Sequence, residues 1–406
     1  MNSARTFVGF GFGAIQAGLF VYEAEQSGVF SRLVVAEVRT DIVDAVRRAR
    51  GIYCVKVADE EGVFSKSVHG IEMLNPRNAG DREQLIYAVA EACEIATAVP
   101  AVSCYCGDEP DSIISILSEG LRLKMARQGP RAIIYTAENN NQAAEILSSM
   151  LDARLGSSWR NVAACLNTVI GKMSGMIADP LEITQMGLPT LTPDIACVCL
   201  VEAFNRILVE PPPWEDFEPG IRSFVQKPDL LPFEEAKLFG HNAIHSMLGF
   251  LLRRRGCLHI SEAGEHPKIL ELARHAFIYE SGAALIRKHA GEDELFTQSG
   301  FTDYANDLIQ RMLNPHLRDT VARVTRDPRR KLAWKDRLVG AIRLAMDYGI
   351  APEGLGRGMA AAIEVVADEE GISPTDVMPA LWPEISDNAQ KDKVREFVGK
   401  YLEQTM

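Results

Sequence analysis

A glycine cluster directly follows a short apolar run near the start of the chain. Residues 5–18 read Arg-Thr-Phe-Val-Gly-Phe-Gly-Phe-Gly-Ala-Ile-Gln-Ala-Gly, and an apolar helical pattern continues after them. This order predicts a strand, a tight turn and a helix, which together open a parallel α/β sheet. Backbone N–H groups at the start of such a helix can approach a phosphate, and the helix dipole favours its charge. The stretch therefore predicts a Rossmann-like dinucleotide-binding domain; the alternative is a turn that is simply rich in small residues.

Two glycine registers fit this turn. Gly9-x-Gly11-x-x-Ala14 has the GxGxxG/A form, and Gly11-x-Gly13-x-x-Gln16-x-Gly18 leaves a longer first strand. We favour the second register, because the first would shorten the strand to about four residues. The expected cofactor contacts in the turn are Gly11, Gly13, Ala14, Ile15 and Gln16.

The second apolar run, residues 31–36, ends in an acid. Glu37 follows the glycines by about 20 residues, the spacing at which an acid bonds the adenosine ribose hydroxyls and repels a 2′-phosphate. Glu37 therefore favours NAD over NADP, unless it is an ordinary acid at a strand end. Arg39 is a counter-indication, because an arginine nearby could accept a 2′-phosphate.

Further strands are expected to complete the sheet. Residues 51–75 predict a hairpin or edge strands, and residues 82–96 look helical and lead into residues 95–100. That run predicts a strand beside the cofactor, with Thr97, Ala98 and Val99 as contacts. Residues 131–136 predict a strand that ends near Asn139, and ligands bind beyond the carboxyl ends of parallel strands. Asn140 and Asn141 are read as turn residues. A later strand, residues 162–170, ends near Lys172.

The sequence changes character after Pro211-Pro212-Pro213. We place the junction between residue 211 and about residue 232, and give the domains as 1–212, a Rossmann-type NAD-binding domain with extra strands, and 213–406, a mostly α-helical substrate domain. Helical periodicity predicts helices at 233–255, 267–290, 301–313, 316–325, 335–348, 355–370, 374–381 and 388–404.

Lys237-Leu-Phe-Gly-His-Asn242-Ala-Ile-His245 places a cation, an amide and an imidazole on one predicted helix. At 100° per residue, Lys237, Asn242 and His245 fall within an arc of about 140°. Together with a dinucleotide turn, this face suggests proton transfer coupled to hydride transfer. The alternative is an exposed helix face on which these residue types are ordinary.

Composition excludes several classes of protein. The 406 residues are 47% hydrophobic and 24% charged, which excludes wholesale disorder. A net charge of −12 argues against a nucleic-acid partner, and the basic run Arg253-Arg254-Arg255 is too short to reverse that. We expect no membrane span and no signal peptide. The eight cysteines are expected to be free thiols in a reducing cytoplasm, because their CxC pairs lack zinc-site spacing.

The motif Lys237-x4-Asn242-x2-His245 resembles the KxxxxNxxH signature of the polyol-specific long-chain dehydrogenase/reductase family. The stretches Asn314-Pro-His-Leu-Arg318-Asp319-x3-Arg323 and Arg330-Lys331-Leu-x3-Asp336-Arg337 are similar to its mannitol-1-phosphate 5-dehydrogenase branch. The resemblance covers nearly the whole chain in the expected order and includes Thr97-Ala-Val, Glu138-Asn139 and Glu280-Ser-Gly-Ala.

The chain departs from this branch at the glycine turn and near the expected substrate site. Gln16 stands where the third glycine is usual, and Glu37 replaces an aspartate. The larger Gln16 must pack near the first strand or point at the cofactor. Ile170-Gly-Lys172-Met replaces a Val-Asp-Arg-Ile segment, so a carboxylate and an arginine are missing there.

The resemblance implies a metal-independent oxidoreductase acting on CH–OH groups. It implies that Lys237 is the general base, that Asn139 and Asn242 donate hydrogen bonds to the reacting oxygen, and that His245 orients a neighbouring hydroxyl. Expected substrate contacts are Asn139, Lys172, His241, Arg330 and Arg337, with Arg329, Lys331 and Lys335 as further cations for a phosphate; a solvated basic face is the alternative for these cations.

Three functions remain open at this point. The first is NAD-dependent interconversion of a hexitol phosphate, such as mannitol 1-phosphate, and the keto sugar fructose 6-phosphate. The second is an unphosphorylated polyol 2-dehydrogenase or a sugar-acid (hexuronate) reductase of the same wider family. The third is a nucleotide-sensing protein without catalysis. For all three functions, we expect a monomer or a small homo-oligomer.

Overall fold

The computed structural model describes residues 5–204 and 206–403. The chain divides into two compact units, Met1–Leu230 and Leu231–Met406. No helix within the described ranges is both long and apolar enough to cross a membrane.

The first unit contains a large twisted sheet and a small one. The strands are β1 (Arg5–Phe10), β2 (Phe30–Ala36), β3 (Tyr53–Ala58), β4 (Val63–Val68), β5 (Ile71–Leu74), β6 (Ala92–Thr97), β7 (Ala132–Thr136), β8 (Ala163–Ile170), β9 (Ser174–Ile177), β10 (Val198–Glu202), β11 (Ile207–Val209) and β12 (Phe224–Gln226). The large sheet has the order β12-β11-β8-β7-β6-β1-β2-β5, and the small sheet has the order β4-β3-β10-β9.

In the large sheet, the six neighbouring strands β8, β7, β6, β1, β2 and β5 are all parallel. The next strand, β11, pairs antiparallel with β8. Central strands are apolar on both faces because helices cover both sides. Phe7 and Val35 lie in one core, and Val8 and Val34 lie in the other. The carboxyl ends of β1, β2, β6 and β7 therefore come together at one edge, where ligands bind in such sheets.

Helices of the first unit join these strands: α1 (Val21–Ser27), α2 (Thr40–Arg48), α3 (Ala79–Glu91), α4 (Ile113–Arg127), α5 (Ala143–Leu155) and α6 (Pro180–Met186). A π-helical segment, Gln16–Phe20, runs directly into α1. One boundary differs from the sequence prediction. The helix expected to reach residue 96 ends at Glu91, because residues 92–97 pair with β1 as β6.

The expected hairpin at residues 51–75 is confirmed, since β3 and β4 pair antiparallel and β5 becomes the edge strand beside β2. The junction between the units lies between Leu230 and Leu231. This is inside the expected 211–232 region, but it is later than the boundary given after residue 212. The physical reason is that β12, residues 224–226, hydrogen-bonds to β11 and so belongs to the first unit.

The second unit is helical. Its helices are α7 (Leu231–Glu235), α8 (Ala243–Arg253), α9 (Pro267–His275), α10 (Gly282–Lys288), α11 (Gln298–Met312), α12 (Val321–Thr325), α13 (Pro328–Lys331), α14 (Arg337–Asp347), α15 (Glu353–Glu370), α16 (Pro374–Val377) and α17 (Asn388–Glu403). π-Helical segments, Ala236–Asn242 and Ala276–Ser281, connect α7 to α8 and α9 to α10.

The buried helix α15 organises this unit. Glu280 caps it, because the backbone N–H groups of Gly354 and Leu355 donate to the two Glu280 carboxylate oxygens over 2.8 and 3.0 Å. Burial raises the pKa of Glu280. A carboxylate at a helix N-terminus satisfies N–H groups that have no partner within the helix. The Glu280-Ser-Gly-Ala stretch therefore has a structural explanation within this unit.

Candidate active site

The turn after β1 requires glycine at position 11. Gly11 has φ +83°, and a Cβ placed there would lie 2.8 Å from the carbonyl oxygen of Ala98. Its N–H donates to the carbonyl of Ala36 over 2.9 Å. Because β1 continues through Gly9 to Phe10, the turn begins at Gly11, in agreement with the register that starts there.

The next glycines of the turn have different surroundings. A Cβ on Gly13 would meet no atom within 4 Å, whereas one on Gly18 would lie 2.3 Å from Val201 Cγ1. Gly18 thus allows the helix to pack closely on β10, and Gly13 leaves its backbone open to a ligand. The chain is helical from Ala14 and Ile15 onward. An exposed backbone at a helix start fits the pyrophosphate of a dinucleotide.

Gln16 is fully buried and packs on the first strand. A Cβ on Gly9 would lie 2.1 Å from Gln16 Nε2, so the amide occupies the space that a side chain at residue 9 would need. Neither polar atom of the Gln16 side chain has a hydrogen-bond partner among the described residues. Of the two placements that the sequence allowed, the structure has packing near β1.

Glu37 connects the glycine turn to the segment after β2. Its carboxylate accepts hydrogen bonds from the N–H groups of Phe12 and Arg39, each over 2.9 Å. The Arg39 guanidinium is exposed and paired with Asp41 over 2.6 Å. Hydrogen bonding to Arg39 lowers the pKa of Asp41. Arg39 therefore already has an anionic partner on α2.

A buried carboxylate holds the segment that follows β6. Glu138 accepts hydrogen bonds from Thr97 Oγ1 and from Val99 N–H, both over 3.0 Å, and from the Tyr105 hydroxyl. The N–H of Ala98 donates to Phe10. Burial raises the pKa of Glu138 even though these bonds act to lower it. The Thr97–Val99 backbone is thereby fixed beside the glycine turn.

The two other predicted residues of the first unit have contrasting surroundings. Asn139 is exposed in the turn after β7. Asn140 is a turn residue as expected, since its Oδ1 accepts from Gln142 N–H over 2.8 Å. Lys172 is buried between β8 and β9. Burial raises the pKa of the Cys199 thiol to about 12, and the positive charge of Lys172 opposes this, so the two groups lie close together.

In the second unit, Lys237 lies on a widened helical turn. Ala236–Asn242 is π-helical, with hydrogen bonds that join residues five apart. The sequence prediction of a regular α-helix is wrong here, and its angle of about 140° between Lys237 and Asn242 does not apply. Because these residues are five apart, the π turn brings them closer together around the helix axis.

Lys237 is partly buried and has a perturbed pKa. Burial lowers the pKa of Lys237 to about 8; the charge of Glu234 opposes this and the charge of Arg337 adds to it. Desolvation disfavours the charged form of a lysine, as does a nearby cation. The amine can therefore lose its proton near neutral pH, as a general base must.

Two histidines follow Lys237 on the same helical stretch. His241 is buried, and its ring centroid lies 5.9 Å from that of His245. Burial and the charge of His245 lower the pKa of His241 well below its usual value. His245 Nε2 lies 2.7 Å from Oδ2 of Asp319, a buried carboxylate. His245 is thus held by an acid from outside its own helix.

Asp319 joins His245 to an arginine. Arg323 donates to Asp319 Oδ1 from Nε over 2.9 Å and from Nη2 over 2.7 Å. Burial alone would raise the pKa of Asp319, but its bonds to His245 and Arg323 outweigh burial and lower it to about 2. The carboxylate is therefore ionised throughout the physiological range.

Arg337 is the charged neighbour that Lys237 and Lys331 share. Burial lowers the pKa of Lys331 to about 8, and the charges of Arg337 and Arg330 contribute to this shift. Arg337 begins α14 and pairs with Asp336 over 2.8 Å, while Arg330 on α13 is exposed. We call Lys237, Arg330, Lys331 and Arg337 the cationic cluster. Arg329 lies outside it, paired with Glu370.

The chain is similar in sequence to known proteins. Residues 229–405 match the family model of the mannitol dehydrogenase C-terminal domain. The mannitol-1-phosphate 5-dehydrogenase of Halalkalibacterium halodurans is 27% identical over 88% of each chain, and that of Bacillus licheniformis is 28% identical over 82% of this chain and 81% of its own. Residues 229–405 therefore belong to the mannitol dehydrogenase C-terminal domain family, and most of the chain is similar in sequence to mannitol-1-phosphate 5-dehydrogenases.

Solved structures support the fold of the whole chain. The ternary complex of Pseudomonas fluorescens mannitol 2-dehydrogenase with NAD and D-mannitol has a TM-score of 0.68 at 16% identity, covering 99% of this chain and 91% of that one. A substrate-free D-sorbitol dehydrogenase has a TM-score of 0.75 at 14% identity, covering 99% and 94%. The predicted Rossmann-like first domain and helical second domain are confirmed. The expected oxidoreductase class acting on CH–OH groups agrees with what the sequence relatives are.

Sequence reasoning assigned no role to some residues of the site. Asp319 and Arg323 were noticed only as parts of a family-like stretch, and Glu138 only as the neighbour of Asn139. An acid two residues after a buried strand, in a sheet whose strand ends bind ligands, was the available signal for Glu138. Within the described ranges, no group of three or more His, Cys, Asp or Glu side chains is arranged to hold a metal ion.

Proposed function

We propose that this chain is a member of the mannitol dehydrogenase family, and that it is an NAD-dependent oxidoreductase that interconverts a hexitol phosphate, such as mannitol 1-phosphate, and the corresponding keto sugar, fructose 6-phosphate. The observation that carries the proposal is the cationic cluster, in which a lysine with a pKa of about 8 lies beside Arg337. The names of the curated relatives support the same substrate.

Lys237 is the proposed general base. Alcohol oxidation removes a hydroxyl proton as hydride leaves the carbon, and a lysine can accept that proton only when neutral. Asn242 on the same π turn is the proposed donor to the oxygen where negative charge develops, with Asn139 as a second amide donor. His245, held by Asp319, is proposed to orient a neighbouring hydroxyl, and His241 to contact the substrate.

The proposed cofactor is NAD, which supplies the hydride acceptor when bound. Gly11, Gly13, Ala14 and Ile15 offer the turn and helix start for the pyrophosphate, and Thr97, Ala98 and Val99 border that turn. Gln16 is proposed to act indirectly, because it is buried against β1. Glu37 supports a preference for NAD, since its carboxylate would repel a 2′-phosphate. Arg39 is neutralised by Asp41.

A phosphate on the substrate would relieve the repulsion within the cationic cluster. The charges of Arg330 and Arg337 both repel that of Lys331, and a phosphate carries a charge of about −1.5 to −2 at pH 7. Charge-assisted hydrogen bonds from arginine to phosphate are strong and can be bidentate. Lys172 is a weaker candidate contact, because its side chain is buried near Cys199.

We also propose metal-independent chemistry in a reducing cytoplasm. The base and amide donors supply the proton acceptor and oxygen stabilisation that a metal supplies in other alcohol dehydrogenases. All eight cysteines are free thiols, which is usual in reducing compartments. A chelator should leave turnover unchanged, and lost turnover that added zinc restores would refute metal independence.

The deciding experiment is steady-state oxidation of NADH and NADPH with fructose 6-phosphate, free fructose and keto sugar acids. Turnover with NADH and fructose 6-phosphate is the expected result. Lys237→Ala should abolish that turnover while NADH binding, measured by fluorescence, stays near normal. Turnover only with free or acidic sugars would replace the proposal with the polyol 2-dehydrogenase or hexuronate reductase; NADH binding without any turnover would favour the nucleotide sensor.

A further inference from the structure

The helical unit contains a groove of about 640 Å³ that uses none of the proposed site residues. The end of α8, the first half of α9, α15 and α17 form its walls. Its volume lies within the usual range for small-molecule sites, about 300 to 1,000 Å³.

The charged residues of this groove are almost all basic. Arg254, Arg255, Lys268 and Arg357 line it together with one acid, Glu364. Arg254 already forms an ion pair with Glu364. Arg255, Lys268 and Arg357 form no ion pair with any described side chain, and they come from three different helical segments. In a chain of net charge −12, this concentration is a local positive potential.

The structure also divides the basic run of the sequence. Arg253 pairs with Glu369 and contacts Thr325, and Arg254 pairs with Glu364. Arg255, the last of the run, has no acidic partner among the described residues. The three arginines of the run therefore have different surroundings. Arg253 and Arg254 are ion-paired, and only Arg255 lines the groove without an ion pair among the described residues.

The remaining lining of the groove is apolar and aromatic. Leu251, Ile269 and Leu272 contribute aliphatic surface. Arg357 lies over the Tyr401 ring at 5.0 Å from its centroid, a cation–π contact that presents guanidinium and ring side by side. The groove thus combines anion-binding groups with a surface for the uncharged part of a ligand.

We propose that this groove binds an organic phosphate, with Arg255, Lys268 and Arg357 on the phosphate and Leu251, Ile269, Leu272 and Tyr401 against its organic part. Arginine and lysine donate charge-assisted hydrogen bonds to phosphate oxygens. A nucleotide and a sugar bisphosphate share this chemistry. The site is separate in sequence and lining from the cationic cluster, and the inference does not rest on the proposed substrate or cofactor.

The test is isothermal titration calorimetry on the full chain saturated with NADH, with ATP, fructose 1,6-bisphosphate and inorganic phosphate as separate ligands. Binding of ATP or of the bisphosphate is expected, and the stronger of the two identifies the source. The double variant Lys268→Glu/Arg357→Glu should weaken that binding by at least about tenfold. Its matched control is Lys66→Glu/Arg122→Glu, which makes the same charge change at exposed positions of the first unit.

Retained organic-phosphate binding in the groove variant, or equal loss in the control, would overturn the proposal. Inorganic phosphate binding as tightly as both organic ligands would also overturn it, because the apolar surface would then contribute nothing. Should the charge reversals unfold the protein, Lys268→Gln/Arg357→Gln supplies the same comparison with a smaller expected loss. Since the readout is binding, the result is independent of whether fructose 6-phosphate turns over.

Discussion

The imidazole of His245 and the carboxylate of Asp319 lie 2.7 Å apart, between Nε2 and Oδ2. Both atoms are buried, and neither has another hydrogen-bond partner among the described residues. Because an ionised carboxylate only accepts hydrogen bonds, the contact favours a proton on His245 Nε2. A neutral imidazole then carries its acceptor at Nδ1. Arg323 holds the other carboxylate oxygen, so Asp319 is positioned to orient His245 and to favour that tautomer.

Asp319→Asn should lower kcat by a factor on the order of ten to a hundred, because the amide no longer selects that tautomer. The check is steady-state kinetics of Asp319→Asn, His245→Ala and the double variant. If the two residues act as one unit, the double variant is little worse than His245→Ala alone. Asp307→Asn, which removes an exposed partner of Arg311, is the control. Fully additive losses would contradict the coupling.

The pH profile should report the ionisation of Lys237. The base must be neutral, so kcat/KM for alcohol oxidation should rise as the pH passes about 8, and ketone reduction should decline over the same interval. Arg337→Gln removes a positive charge, raises the pKa of Lys237 and moves the rise to higher pH. Glu234→Gln removes a negative charge and moves it to lower pH. Shifts in the same direction for both variants would contradict this electrostatic account.

The short helix α13 provides a matched pair for testing phosphate recognition. Arg330 contributes to the cationic cluster, whereas its neighbour Arg329 pairs with Glu370. Arg330→Ala should raise KM for a phosphorylated substrate by about tenfold, the loss of one charge-assisted contact. Arg329→Ala should leave KM unchanged. KM for any unphosphorylated sugar should not respond to either change, and equal effects of the two variants would remove Arg330 from the substrate site.

Cofactor preference should depend on the pair formed by Arg39 and Asp41. Asp41→Asn frees the guanidinium for a 2′-phosphate, and Glu37→Gln removes the repelling charge. The double variant should therefore raise kcat/KM for NADPH relative to NADH by about tenfold or more, and each single change should do less. Asp44→Asn on the same helix is the control. An unchanged ratio in the double variant would mean that other groups decide between the cofactors.

Local signals predicted much of the first unit. The glycines, the acid at residue 37 and the strand ends follow from short-range pattern and from the rule that parallel strands bind ligands at their carboxyl ends. The position of Gln16 was left between two alternatives, because spacing does not reveal whether a long side chain folds onto β1. The burial of Lys172 was not visible either, since it depends on the packing of the segment between β8 and β9.

Long-range pairing explains what the sequence did not reveal in the second unit. Asp319 meets His245 only because separate elements pack together, and no periodicity within either one predicts it. The π turn at Ala236–Asn242 was missed because apolar periodicity reports which residues are buried, not whether a hydrogen bond spans four residues or five. The family motif supplied the candidate residues here, and the structure shows that Lys237 and Asn242 lie on a π turn.

The π-helical segments have a consequence for the history of the chain. A turn closed by an i→i+5 hydrogen bond holds one residue more than the α turn it replaces. Gln16–Phe20, Ala236–Asn242 and Ala276–Ser281 are therefore the places where a single inserted residue can be absorbed without breaking a helix. Relatives with regular helices at these places should align with this chain only across one-residue gaps. The spacing of five residues between Lys237 and Asn242, both in the second segment, would then be the result of such an insertion.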